Sequence, residues 1–159
     1  DNTPVSPGEV GELTVTTLGV EAMPLLRFKT GDMVQAYTEA CNCGRNTMRL
    51  GPVVGRKKQM IKYKGTTLYP PAMYNILNDF EAVEVYLIEI SHNELGTDEI
   101  LIKIAVKDQS EELLSNIKDH FRAKLRVAPT LEFSSVEEIN KLRFPAMSRK
   151  PLDLIDLRK

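Results

Sequence analysis

Apolar and polar residues alternate with a period of two over Glu12 to Leu18, a stretch rich in β-branched side chains, which predicts a strand with Leu13 and Val15 turned inward. Ahead of it, residues 1–8 carry two prolines and a glycine and read as a surface loop. After a turn from Gly19 to Pro24, two more strands are predicted, Leu25 to Lys29 and Met33 to Thr38, interrupted by the loop Thr30-Gly31-Asp32. An aspartate in such a loop is, on its own, a turn residue capping its own backbone. Gly55 to Gln59 is too charged for a core and marks a place where the chain bends. Beyond it, Met60, Ile61 and Tyr63 alternate with Lys62 and Lys64, Gly65 breaks the run, and Leu68-Tyr69 leads into Pro70-Pro71. The pattern from here predicts a strand region over 59–68, a helix over 70–79, strands over 82–91 and 98–107, a helix over 110–126 and a strand over 130–136.

The two helices have clear apolar stripes. Met73, Ile76, Leu77 and Phe80 fall at i, i+3, i+4 and i+7 behind prolines that suit a first helical turn. Leu113, Leu114, Ile117, Phe121 and Leu125 mark the longer one, with Asp108 and Glu111 as its capping box and Pro129 forbidding continuation. The succession β-α-β-β-α-β predicts an α+β fold: a small β-strand segment, then a ferredoxin-like split βαβ domain with an antiparallel sheet and both helices on one face. Val83, Val85 and Leu87 share one face of their strand, and Ile100, Ile102, Ile104 and Val106 one face of theirs. Tyr86, Ile88, Ile90, Leu101 and Ala105 have the opposite parity, and their apolarity predicts that the other side is covered too, by the tail or by another domain.

Composition adds mainly exclusions. The 159 residues hold 21 Lys and Arg against 22 Asp and Glu, a net charge of −1, which offers no long-range attraction for nucleic acid or an anionic membrane. The apolar runs are too short for a membrane span or a signal core, so a soluble, cytoplasmic protein is expected. The start in loop composition without a Met suggests a piece of a longer polypeptide. The two cysteines, Cys41 and Cys43, have one residue between them, where a mutual disulfide would be strained. As metal ligands they would supply half of a tetrahedral zinc site, and His92 and His120, far off in sequence, read as ordinary surface or packing residues.

The string GRKKQMIKYKGTTLYPPAM, Gly55 to Met73, resembles the hinge and first hairpin of adenylate-forming acyl-CoA ligases, and its details are most similar to the phenylacetate-CoA ligase branch. Two further motifs fall in the matching order: RFKTGD, Arg27 to Asp32, and the tail FPAMSRKPLDLIDLRK, Phe144 to Lys159. The resemblance implies that residues 1–54 end a β-rich N-terminal adenylating domain whose larger part is missing, and that 55–159 form the mobile C-terminal domain beginning at the hinge. It implies an enzyme that joins a small aryl acid to coenzyme A through an acyl-adenylate, with ATP and Mg2+, and a fragment that is inactive alone. By motif position, Asp32 would hold the ribose hydroxyls and Arg56 would reach the same side of the nucleotide. Lys150 would be the catalytic lysine, Lys58 the hinge residue, and Gly65 a backbone lining the CoA channel.

The tail departs from the family pattern where Ala146, Met147, Arg149 and Asp153 replace Arg, Ser, Gly and Arg; losing the glycine bears on how the lysine loop adopts its working conformation. The CxCGR turn at Cys41 also resembles this branch, with any further metal ligands expected from the missing part. Two other readings stay open: an adenylating enzyme that loads a carrier protein shares every motif, and residues 59–136 alone would permit a ferredoxin-like or ACT-like small-molecule-binding module whose sheet pairs into a homodimer.

Overall fold

A computed structural model describes residues 3–145 and 150–158. The chain divides into two compact units, Asp1–Met60 and Ile61–Lys159.

In the first unit, β1 (Val10–Val15) runs antiparallel to β2 (Phe28–Tyr37), and two short strands, β3 (Arg49–Leu50) and β4 (Gly55–Arg56), also pair with β2. Strand β1 stops at Val15 rather than Leu18 because the next two side chains turn back to the chain: the hydroxyls of Thr16 and Thr17 accept from the N–H groups of Arg27 and Leu25. Thr30-Gly31-Asp32 is not an interruption between strands. It lies inside β2 as a bulge, because Glu12 pairs with Met33 and Thr14 with Lys29, leaving three β2 residues opposite Leu13 alone. Gly31 takes φ +79°, where an L side chain is strained. Thr30 Oγ1 donates to the Leu13 carbonyl at 3.2 Å and accepts from the Asp32 N–H at 3.1 Å, so the bulge is pinned from both sides. Gly55 and Arg56 pair with Met33 and Asp32, and residues 55–60 group by contact with the first unit.

The second unit begins with a hairpin, β5 (Ile61–Tyr63) and β6 (Thr66–Leu68). Lys64 at φ 47° and Gly65 at φ 80° form its two-residue turn, two successive left-handed residues as a type I′ hairpin needs. Then follow α1 (Pro70–Asn78), β7 (Val83–His92), β8 (Asp98–Val106), α2 (Glu111–Leu125), β9 (Thr130–Phe133), α3 (Val136–Arg143) and β10 (Leu154–Asp156). The cap of α2 is Ser110, whose hydroxyl accepts from Leu113 N–H at 3.1 Å, and not Asp108, which lies two residues too early to reach the first turn.

The α+β class holds, while the sheet differs from the expected one in pairing. The hairpin forms its own two-stranded sheet, and the four-stranded sheet has the order β10-β7-β8-β9. Its central pair is antiparallel and both outer pairs are parallel. Helices α1 and α2 supply Met73, Ile76, Leu77, Ile117 and Phe121 to one face, against Ile88, Ile90, Ile100, Ile102 and Ile104. Register explains the partition. Ile88 pairs with Ile102 and Ile90 with Ile100, so these residues share the helix side, and Tyr86, Ile88 and Ile90 do not lie with Leu101 and Ala105 as their parity within one strand suggested. A bulge between Val83 and Val85 reverses the parity at the start of β7. The opposite face is covered by α3, where Ile139 packs on Leu87 and Ala105, joined by Val85 and Ile155. Helix α3 has a full capping box: Ser135 accepts from the Glu138 N–H at 3.2 Å, and Glu138 accepts from the Ser135 N–H at 3.1 Å.

Candidate functional site

Each unit presents its own set of candidate residues. In the first, the bulge aims Asp32, and β4 sets Arg56 directly opposite as its register partner. Arg56 Nε lies 3.4 Å from Asp32 Oδ1; the carboxylate is 28% exposed and the guanidinium 71%. A pair this open contributes about 0–1 kcal/mol to stability, so the arrangement matters for what it presents, a planar acceptor with a cation beside it. Next along the chain, Lys57 Nζ reaches Glu12 Oε2 at 2.8 Å, and this bond holds the Glu12 carboxyl below its ordinary range. Lys57–Gln59 form a single 3-10 turn closed by the Met60 N–H on the Lys57 carbonyl at 3.3 Å, with Lys58 exposed at its middle.

Cys41 and Cys43 have their sulfurs 3.1 Å apart and no disulfide. The neighbouring Cys41 thiol, then the Arg45 backbone, pull the Cys43 thiol below its usual value. Among the described residues no third His, Cys, Asp or Glu gathers with them to hold a metal.

In the second unit, Gly65 stands at the tip of the β5–β6 hairpin, with no atom within 4 Å of where a Cβ would lie. Lys150 is exposed and lies in the segment between α3 and β10. The base of that segment is closed by the Leu152 N–H on the Arg143 carbonyl at 2.9 Å and by an ion pair between Arg143 and Asp153. Asp153, where the tail leaves the family pattern, thus has a cation of its own. Ala146, Met147 and Arg149 lie outside the described residues, and with them the question raised by the lost glycine. The end of the tail is docked: Leu154, Ile155 and Asp156 pair with Ile88, Glu89 and Ile90, and Arg158 bridges Asp156 and Asp98. Burial, and then the charge of Asp153, push the Tyr74 phenol up to about 12, so it stays neutral at physiological pH.

The structure therefore brings Asp32 and Arg56 together, and it carries Gly65 and Lys150 on the other unit. Sequence patterning gave no hint of the Glu12–Lys57 pair or of Asp98 as a junction, because both join residues far apart in the chain. Helix α3 did have a readable signal, the Ser135-x-x-Glu138 box ahead of Val136 and Ile139.

No protein-family model matches the chain. Over 105 residues it is 38% identical to the phenylacetate-coenzyme A ligase of Thermus thermophilus, covering 66% of this chain and 24% of that protein. The chain is a homologue of the phenylacetate-coenzyme A ligases. The Escherichia coli protein of the same name is 30% identical over 112 residues, covering 69% of this chain and 24% of its own length. The chain thus spans about a quarter of the length of the curated relatives it matches. Among solved structures it resembles a 2-hydroxyisobutyryl-CoA ligase in the postadenylation state, with a TM-score of 0.71 over 96% of this chain and 33% of that one, at 21% identity. That likeness establishes the fold the two share.

Proposed function

We propose that the chain is the C-terminal portion of an ATP-dependent, AMP-forming aryl-acid CoA ligase, with residues 1–54 ending the adenylating domain and 55–159 forming the mobile one. The observation that carries this reading is Asp32 on a pinned bulge opposite Arg56, in a chain that over 105 residues is 38% identical to a phenylacetate-CoA ligase. The carboxylate of Asp32 accepts from both ribose hydroxyls, and Arg56 adds a donor on the same side of the nucleotide. In the first half-reaction the acid's carboxylate attacks the α-phosphorus, the bond to the bridging oxygen breaks, and pyrophosphate leaves. Lys150 offsets the negative charge that builds on the α-phosphate as this happens. In the second, the CoA thiol, its proton given up, attacks the acyl carbon and AMP leaves.

A path bare of side chains suits the pantetheine arm, and Gly65, at a tip with open space around it, provides one. Lys58, exposed in the short turn after β4, is the residue whose dihedrals change as the domain swings. Magnesium would belong to the ATP substrate, where it would offset phosphate charge. Among the described residues no cluster of three acidic, His or Cys side chains is placed to hold a metal ion. The names of the relatives favour CoA over a carrier protein as acceptor. Calorimetric titration of the 159-residue chain with ATP and magnesium tests the split-site reading: no strong site is expected, and micromolar binding would overturn it in favour of a self-sufficient nucleotide-sensing module.

A further inference from the structure

The hairpin that carries Gly65 lacks ladder hydrogen bonds to the four-stranded sheet. Its buried Ile61, Tyr63 and Leu68 attach it to the core by packing, which is non-directional. Directed bonds come from the Lys62 N–H to Asp98 Oδ2 at 2.7 Å and from the Tyr63 hydroxyl to the Ala128 carbonyl at 3.0 Å. Asp98 opens β8 opposite His92 and is only 9% exposed. A carboxylate so buried persists only where its lone pairs and charge are met. Oδ2 also accepts from Arg158 Nη1 at 2.8 Å, while Oδ1 faces His92 Nδ1 at 3.2 Å. Arg158 is itself held by Asp156, Nε to Oδ1 at 2.8 Å and Nη2 to Oδ2 at 2.7 Å, and Asp156 is the last residue of β10.

We propose that Asp98 is a positioning residue for the thioester-forming step: it sets the tilt of the Gly65 hairpin and makes that setting depend on the docked tail that carries Lys150. The roles of Gly65 and Lys150 rest on the ligase reading above; the linkage rests on this geometry alone. Without Arg158, the buried carboxylate loses its strongest counter-charge and must open toward water, and the bond to Lys62 goes with it.

Amide hydrogen exchange by NMR on the 159-residue chain reads this out. Asp98→Ala should speed exchange at Lys62 about tenfold or more relative to Ile102, a central-strand amide that reports global opening, because bonds to charged acceptors are the strong class. Arg158→Gln, which removes no direct contact with Lys62, should speed the same amide. If Asp98→Ala does not fold, Asp98→Asn replaces it: loss of the charge weakens the bond from Lys62, and faster exchange at that amide relative to Ile102 is again expected. Unchanged exchange at Lys62 in the Arg158 variant, or acceleration equal to that of Ile102 in every variant, overturns the linkage. In the longer ligase, Asp98→Asn should raise the KM for CoA about fivefold or more and leave pyrophosphate exchange within about twofold. Equal losses in both half-reactions overturn the positioning role. If exchange at Lys62 responds as expected while Gly65→Leu leaves the CoA step intact, the linkage stands and the assignment of Gly65 to the CoA channel is what fails.

Discussion

Replacing Gly65 by Leu separates backbone strain from the proposed function of the hairpin tip. The position has φ +80° and open space where a Cβ would be, so the substitution meets no clash and its cost is conformational. An L side chain in the left-handed region costs about 1–2 kcal/mol. Against a domain stability of about 5–15 kcal/mol, the second unit stays folded. At roughly 4–8 °C per kcal/mol for a domain of this size, its Tm should fall by about 5–15 °C. Gly65→Asn is the control, since Asn tolerates this region better and should recover most of the lost stability. In the longer ligase, acid-dependent pyrophosphate exchange reports adenylation and CoA-dependent turnover reports the thioester step. Leu should depress the second by about tenfold or more, as displacement of a reacting group does, and leave the first nearly intact. Equal depression of both rates on a folded variant would refute the assignment of the hairpin tip to the CoA path.

Other substitutions probe the remaining parts. Asp32→Ala should raise the KM for ATP by about tenfold with a smaller change in kcat, because a ribose contact is made equally in ground and transition states; a fall in kcat at unaltered KM would contradict that role. Ile139→Ala removes a fully buried side chain from the small core under α3 and should cost about 2–5 kcal/mol in urea denaturation, a cost near zero meaning that α3 does not seal that face. The Glu12 carboxyl is depressed in the folded chain, so its contribution is complete above its unfolded pKa and is lost as pH falls through the folded one. Acid titration of stability should therefore show Lys57→Met flattening this loss below pH ~4.5, and an unchanged profile would show that the Lys57–Glu12 pair is not holding β1 to the turn after β4.

What the sequence disclosed follows from what is local. Helices α1 and α2 and strands β7 and β8 were legible within a residue or two because their apolar patterns are long, on one face of each helix and on both faces of the two strands. The TGD bulge was not, since a bulge is defined by the partner strand, and only the pairing of Glu12 with Met33 and Thr14 with Lys29 shows three residues sharing one place. The partition of Ile88 and Leu87 between two faces likewise needed the register with β8. Strand β10 is three residues long and takes its place from the β7 edge it meets, so its own pattern carries little signal. Of the candidate site, motif order supplied Asp32, Arg56, Gly65 and Lys150, whereas Asp98 joins three segments by tertiary contact and has no motif of its own.

The central claim, that this chain brings adenylation chemistry to a longer ligase, is tested most directly by acid-dependent pyrophosphate exchange on that ligase with Lys150→Ala. Loss of one aimed donor to the developing phosphate charge predicts a fall of about 10²-fold with the fold intact. An exchange rate equal to that of the unaltered enzyme would contradict the account.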